Sequence, residues 1–281
     1  MKITVLGSGG GEGYPAPFCG CDHCVTARAV GGKSIRTLPQ TLINDDLLID
    51  LPPDTSRHAL ENGLNLGDIP DLLITHTHAD HFVPSVLEIR AGVFAHKLKC
   101  PNMNVYGSPD VRRVYYGAAA IYGFSRVTEA TVNIHTLTAY QSAPVGKYTV
   151  TPLPARHALG TLVAFNYVIE RDGQKLLYLH DTGMPTDQVI DFLANSVGRV
   201  DGVVMDATMG VADVADTCGH MSFAQNMRLV EILRTRGVAD DKTTFVVNHI
   251  THNNAETHDK VEEIFAGTGI IVSYDGMKLE I

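Results

Sequence analysis

The sequence predicts an α/β fold in which mixed β-sheets are flanked by helices. Three observations support this: short β-prone segments recur along the 281 residues, helical patterns separate some of them, and hairpin turns join others. Antiparallel hairpins and helical connections within one chain are typical of layered folds with large mixed sheets.

The predicted strands are short runs rich in β-branched and aromatic residues, bounded by turn residues. Asp-Gly within Arg171–Gln174 predicts a tight hairpin, and Asn44–Asp46 gives a weaker hairpin signal. In chain order the predicted strands and hairpins are KITVLG, TLINDDLLIDL, DLLIT, MNVYG, YTVTPLP, LVAFNYVIERDGQKLLYLHD, VDGVVMD, TTFVVN and GIIVSYDGMKLEI.

The predicted helices show apolar residues at a spacing of three and four, together with start and stop signals. The most regular one follows Ser222, which is a good N-cap residue. Its apolar stripe consists of Phe223, Met227, Val230 and Leu233. The four predicted helical segments are PPDTSRHALENG, MPTDQVIDFLANSVG, SFAQNMRLVEILRTRG and NAETHDKVEEIFAG.

The bulk composition predicts one domain over residues 1–281, with no linker and no internal repeat. Acidic residues outnumber basic ones by 31 to 22, which argues against a long nucleic-acid partner but does not exclude one. The sequence has neither a signal-peptide core nor an apolar run of membrane-spanning length, so we expect a cytoplasmic protein without a membrane partner. The sequence is also compatible with a homodimer.

Three of the five cysteines, Cys19, Cys21 and Cys24, form a C-G-C-x-x-C motif. A cytoplasmic location, the odd number and the short gap argue against a disulfide. An iron–sulfur cluster needs a fourth cysteine at a typical spacing, which Cys100 and Cys218 do not supply. The motif therefore predicts one structural zinc.

The fourth ligand of this zinc has two candidates. His23 lies inside the motif and would be cramped. His252 comes three residues after His249, so one histidine of this HITH segment can face a second site while the other reaches the cysteines.

A second cluster, THTHADH, follows an apolar strand. Alternation places His76 and His78 on one side of an extended segment, and Asp80 and His81 fall on the following turn. Imidazoles aimed at one point, with a carboxylate and an imidazole at a neighbouring point, suit two adjacent divalent ions.

The H-x-H-x-D-H pattern after an apolar strand, with a first strand that ends in a glycine-rich turn, resembles the metallo-β-lactamase superfamily over nearly the whole chain. The resemblance implies a four-layered αβ/βα sandwich with a binuclear metal site at one edge of the sheets. It also implies three more ligands from later strand ends: His157, Asp181 and His249.

By this resemblance, Asp181 bridges two zinc or manganese ions, although His180 is a rival at that position. Hydroxide held between the two metals would attack phosphorus or a carbonyl carbon. His76, His78 and His157 would hold one ion, and Asp80, His81 and His249 the other. The remaining candidate histidines, read as surface or packing residues, are His58, His96, His135 and His258.

The cysteine motif together with HITH is similar to the cyclic ribose phosphodiesterase branch of this family. That branch implies a structural zinc held by the cysteines and His252. It also implies that His220 is a general acid or phosphate contact, which makes Asp80 and His220 the candidate catalytic residues. The alternative is that His220 only helps the next helix to start. Residues 91–146 show no recognisable correspondence.

The glycine-rich segment Gly7–Gly13 lacks the Lys-Ser/Thr ending of a phosphate-binding loop. We interpret it as a flexible floor beside the metals. The cysteine site would then pin a long N-terminal loop, Ser8–Thr37, next to the reaction centre.

These observations predict a binuclear phosphodiesterase that acts on a small cyclic or nucleotide-like phosphodiester. Two alternatives keep the fold and change the substrate: a tRNA 3′-end endonuclease, and a lactone or thioester hydrolase. A third is a non-hydrolytic protein like the B protein of pyrroloquinoline quinone biosynthesis, which shares the cysteine motif and resembles GHMS at Gly219–Ser222.

Overall fold

Two seven-stranded β-sheets lie face to face, and helices cover their outer faces. This arrangement is seen in a computed structural model, which describes residues 1–157 and 162–281.

The first sheet is antiparallel at one edge and parallel from β3 to β6. Its order is β14-β1-β2-β3-β4-β5-β6. Its strands are β1 (Lys2–Gly7), β2 (Gln40–Ile43), β3 (Leu47–Ile49), β4 (Asp71–Leu73), β5 (Met103–Gly107), β6 (Val132–Thr136) and β14 (Lys278–Glu280).

The second sheet is antiparallel from β7 to β10 and parallel from β10 to β13. Its order is β13-β12-β11-β10-β9-β8-β7. Its strands are β7 (Ala143–Val145), β8 (Tyr148–Pro154), β9 (Phe165–Arg171), β10 (Gln174–Leu179), β11 (Gly202–Asp206), β12 (Thr244–Asn248) and β13 (Ile270–Val272).

The helices follow the chain between these strands. They are α1 (Asp22–Val30), α2 (Thr55–Glu61), α3 (Pro109–Tyr122), α4 (Arg126–Thr131), α5 (Asp187–Phe192), α6 (Phe223–Thr235) and α7 (His258–Phe265). Short 3₁₀ turns span Gly32–Ser34, Leu66–Asp68 and Pro84–Arg90, and a π turn at Leu193–Val197 extends α5. In the part of the chain that the structure describes, no helix combines the length and the apolar character that crossing a bilayer requires.

The core has three layers of apolar contacts, which confirms the predicted sandwich. Ile3 and Ile43 of the first sheet and Tyr167 and Val204 of the second are buried between the sheets. On the outer faces, α3 packs against the first sheet, and α5, α6 and α7 pack against the second. Burial of both faces explains why the parallel strands read as continuous apolar runs.

The hairpin prediction at Arg171–Gln174 is confirmed. Asp172 and Gly173 adopt φ of 53° and 78°, the left-handed pair that a two-residue turn between twisted strands requires. The prediction for α6 is also confirmed, because Ser222 and Gln225 form a reciprocal capping box. Its buried stripe includes Leu229, however, whereas Met227 is only partly buried.

The predicted N-terminal loop is wrong in part, because Ser8–Thr37 contains α1 and a 3₁₀ turn. The glycine segment is also held by backbone hydrogen bonds. Gly9 N donates to Thr37 O at 2.8 Å, and Gly10 N donates to Ile250 O at 3.2 Å. The segment therefore forms a hydrogen-bonded link between the end of β1 and the chain beyond β12.

Candidate metal centre

The strand ends of both sheets bring the predicted histidine and aspartate ligands together at one edge. In each of two groups the donor atoms lie within 4.8 Å of one another. The first group is His76, His78 and His157, and the second is Asp80, His81, Asp181 and His249.

The spacing in the first group fits a metal ion. His78 Nδ1 lies 2.9 Å from His76 Nε2 and 3.2 Å from His157 Nε2. Tetrahedral zinc holds nitrogen ligands at about 2.0–2.1 Å, which separates neighbouring ligand atoms by about 3.3 Å. The three imidazoles are therefore close to the positions that such an ion would need.

Asp181 touches both groups through its two carboxylate oxygens. Oδ2 lies 3.4 Å from His76 Nε2 and 2.5 Å from His81 Nε2, while Oδ1 lies 3.3 Å from His249 Nε2. Asp80 adds an oxygen 3.1 Å from His81 Nε2. A carboxylate in this position can share its oxygens between two cations.

Three buried atoms of the centre, His81 Nε2, Asp181 Oδ1 and His249 Nε2, make no hydrogen bond of good geometry among the described residues, close as they lie to one another. His81 Nδ1 is 2.7 Å from Asp50, so a proton there leaves the lone pair of Nε2 facing carboxylate oxygens. Burial lowers the pKa of His81, but the attraction of Asp181 and Asp50 outweighs it and raises the pKa well above its usual value. Positive charge is thus favoured at this point, as a bound cation would supply.

Two carboxylates that lie behind the ligands were not predicted from the sequence. Asp50 follows β3 and accepts hydrogen bonds from Thr75 as well as facing His81. Asp206 ends β11 and lies 2.9 Å from His220 Nδ1. Carboxylates that bond the second nitrogen of a ligand histidine fix its tautomer and orientation. Their signal in the sequence is an Asp directly after an apolar strand, in LLID and VVMD.

The backbone is unusual at three positions around the centre. Asp50, Asp181 and His249 have φ of 66°, 47° and 62°, in the left-handed region. Such conformations cost energy in non-glycine residues and cluster at functional sites. Here each one follows a strand, at the point where the chain turns away from its sheet.

His180, the rival of Asp181, is fully buried behind the centre. Its Nε2 lies 3.1 Å from Asn248 Nδ2, and its ring packs against His249 at 4.7 Å. It forms a further donor group with His81 and His249, but Asp181 is the residue that touches both ligand groups.

A cleft of about 770 Å³ opens directly onto this centre. His220 lines it beside the ligands, with its side chain one quarter exposed, Nδ1 3.4 Å from Asp181 and its ring 4.8 Å from that of His157. Burial lowers the pKa of His220, but the neighbouring Asp206 carboxylate raises it to about 9. Ser222, not His220, caps α6, so the alternative role as a helix start has no contact to support it.

The cysteine motif gathers into a second cluster with His252, whereas His23 bonds the backbone carbonyl of His252 instead. His252 Nδ1 lies 3.6 Å from Cys19 Sγ and 3.5 Å from Cys21 Sγ. A tetrahedral zinc with S and N ligands separates these atoms by about 3.6 Å. The four donors therefore fit one zinc ion.

Helix α1 explains how two of these cysteines meet. Cys21 is its N-cap residue and Cys24 lies in its first turn. The backbone N–H of Cys24 lowers the pKa of Cys21 to about 6, whereas burial raises the pKa of Cys24 to about 11. A bound metal ion would favour the thiolate form at both positions.

The HITH segment connects the two clusters as the sequence predicts, with His249 at one and His252 at the other. The glycine segment packs on the HITH segment and on Asp80. A Cβ at Gly10 would lie 2.4 Å from Thr251 Cγ2, and one at Gly11 would lie 3.1 Å from Asp80 Oδ2. Glycine is required here because backbone runs directly against the site.

Comparisons with known proteins agree with this architecture. The beta-lactamase superfamily domain matches residues 47–250. Coenzyme PQQ synthesis protein B of Acinetobacter baylyi is 24% identical over 325 aligned positions, covering 100% of each chain.

Two solved structures superpose over the full chain. A diphosphatase of the PhnP family gives a TM-score of 0.73 at 22% identity, covering 100% of this chain and 97% of its own. Zinc-bound PqqB from Methylobacterium extorquens gives 0.68 at 20% identity and covers 100% of both chains. Likeness at this level shows a common fold, so a substrate has to be argued from the site.

Proposed function

The chain belongs to the beta-lactamase superfamily, and on that premise we propose that it is a metal-dependent hydrolase of a small cyclic or nucleotide-like phosphodiester. The observation that carries the proposal is the position of Asp181, whose two oxygens reach two separate donor groups at the floor of one cleft. This arrangement suits a pair of divalent cations, zinc or manganese, better than a single ion.

Bound together, two such cations would make water nucleophilic near neutral pH and would neutralise charge on the substrate's oxygens. The ligand residues supply the fixed geometry for this. Asp50 holds the His81 ring through Nδ1, and Thr208 Oγ1 lies 2.7 Å from His249 Nδ1. Asp80, at the cleft wall, can bind a cation and accept a proton from water.

His220 is proposed as the general acid. Because its Nδ1 faces Asp206, Nε2 is the nitrogen left to meet a substrate in the cleft. An imidazolium there can bind a phosphoryl oxygen or protonate a leaving alkoxide. A cleft of about 770 Å³ is of the size that takes a small ligand.

The cysteine cluster is proposed to hold one zinc ion with a structural role. It has four donors, which completes a tetrahedron and leaves no position for a substrate.

The test is hydrolysis of bis-p-nitrophenyl phosphate and 2′,3′-cyclic nucleotides by zinc-loaded and manganese-loaded protein. We expect turnover that falls by about 10²-fold or more in His220→Asn while metal content stays constant. Absence of turnover with both metals would contradict the proposal.

A second candidate is a role in coenzyme PQQ synthesis, because the curated relative that covers the whole chain carries that name. Phosphodiester turnover that depends on His220 would favour hydrolysis. Full metal occupancy without hydrolysis of any phosphodiester, lactone or thioester would favour the second candidate instead.

A further inference from the structure

Glu12 lies where two clefts meet. Together with Gly11 it lines both the cleft over the metal centre and a neighbouring cleft of about 970 Å³. The neighbouring cleft is also lined by Phe18, Thr37 and Asn253. A substrate whose reacting group lies at the centre can therefore extend past Glu12 into the second space.

The Glu12 carboxylate is held in place on one side. Its Oε1 lies 3.0 Å from Asn253 Nδ2 and 3.2 Å from His252 Nε2. His252 Nδ1 faces the cysteine sulfurs, so Nε2 is the nitrogen turned toward Glu12. The adjoining backbone is fixed as well, since Gly11 runs against Asp80.

The other oxygen of Glu12, Oε2, has no hydrogen-bond partner within residues 1–157 and 162–281. The side chain is 35% exposed. One oxygen is thus anchored while the second is left to accept hydrogen bonds at the junction of the clefts. A carboxylate accepts from hydroxyl and amino groups, and it repels a second anion.

Basic groups of the neighbouring cleft do not cancel this charge. Arg57 Nε is 2.8 Å from Glu61, and Asp54 adds another acid to the lining. Arg36 is buried, and its guanidinium donates to Ser8 Oγ and to the carbonyl of Ser273.

We propose that Glu12 determines specificity, selecting substrates whose non-reacting arm carries hydroxyl or amino donors and no further anionic group. This inference rests on the proposed phosphodiesterase function and narrows its substrate class. The hydrolysed compound would be a phosphodiester with a neutral, hydroxylated substituent, such as a nucleoside or sugar without a second phosphate.

The test compares binding of two product-like ligands, adenosine 2′-monophosphate and adenosine 2′,5′-bisphosphate, to metal-loaded protein by calorimetry. We expect the wild type to prefer the monophosphate. Glu12→Gln keeps an oxygen for Asn253 and His252 and replaces the free oxygen with a neutral amide. The preference should shrink by about three- to tenfold, the size of one contact between water-exposed charges about 4 Å apart.

Glu231→Gln is the matched control, because Glu231 is an exposed residue of α6 that lines neither cleft. It changes net charge equally and should leave the preference unaltered. An unchanged preference in Glu12→Gln with all metals retained would overturn the inference. Because binding is measured directly, that failure is distinct from an absence of hydrolysis, which would count against the proposed function alone.

Discussion

The cysteine cluster and the histidine–aspartate centre are built in opposite ways. Three of four cysteine-cluster donors come from six consecutive residues at the start of α1. The donors of the centre come from four separate segments that only the two-sheet fold brings together. The first cluster has three sulfur donors and one nitrogen donor, whereas the second has nitrogen and oxygen donors and opens into a cleft.

The HITH segment serves both clusters. His249 and His252 point to different clusters across two intervening residues. Glu12 adds a second connection, from His252 to the cleft wall. The closed cluster can therefore fix the position of the open one without taking part in a reaction.

The largest effect is expected from Asp181→Asn, because the Asp181 carboxylate contacts histidines of both ligand groups. Asparagine tolerates the left-handed φ of 47°, so the change removes the shared charge without the strain that alanine would add. Catalytic metals should be lost and turnover should fall by about 10³-fold or more. Metal analysis should show about one zinc per chain instead of three, still held by the cysteines. Retention of all three metals would refute the shared role.

Cys21→Ser tests the cysteine cluster. We expect loss of one zinc and a decrease of about 2–4 kcal/mol in the free energy of unfolding, since a tightly bound ion stabilises the folded state. Serine preserves size and still permits an N-cap for α1. Denaturant unfolding with parallel zinc analysis measures both quantities. If Cys21→Ser kept every metal, the structural-zinc proposal would fail.

The same contrast explains what the sequence could and could not predict. Alternation, hairpin turns and capping signals predicted mixed sheets flanked by helices, the Arg171–Gln174 hairpin and α6, because each depends on neighbouring residues. The four-layered sandwich came from family resemblance. The C-x-C-x-x-C motif predicted a cluster for the same reason. The assignment of separate ligands to each metal came from family resemblance, and metal binding itself remains a prediction.

Two of the missed elements, β7 and α1, lacked a local signal, whereas α3 was missed although Ser108 and Pro109 mark its start and Gly123 its end. Strand β7 is a three-residue edge strand that contains Pro144, so it is too short to show periodicity. Helix α1 buries only Cys24 and Ala27, so it shows little apolar periodicity. Asp50 and Asp206 looked like ordinary polar residues after apolar strands, because Asp50 is 31 residues from His81 and Asp206 is 14 from His220.

Substitutions of Asp50 and Asp206 are expected to have smaller effects on metal binding and turnover. Asp50→Asn should weaken metal binding by about 10–100-fold, because the amide no longer holds the His81 ring as a charged acceptor. Asp206→Asn should lower turnover by a similar factor while metal content changes less, because its closest contact is His220. Metal titration and steady-state kinetics on both variants separate the two roles. Equal losses of metal in both would show that Asp206 also supports the ligands.

The smallest effect is expected where the helix behind His220 begins. Ser222 accepts the N–H of Gln225 at 3.4 Å, and Gln225 Oε1 accepts the N–H of Ser222 at 3.0 Å. Ser222→Ala should therefore cost about 1 kcal/mol of unfolding free energy, as the loss of a helix cap does. His220→Asn should cost stability of a different origin, because it removes the contact between His220 Nδ1 and the buried Asp206 carboxylate. That contact raises the pKa of His220 to about 9, so the loss should be present at pH 7 and fade as the pH rises through 9. Urea denaturation of both variants at pH 7 and pH 10 tests this, and a loss in His220→Asn that does not change with pH would return His220 to a role in starting the helix.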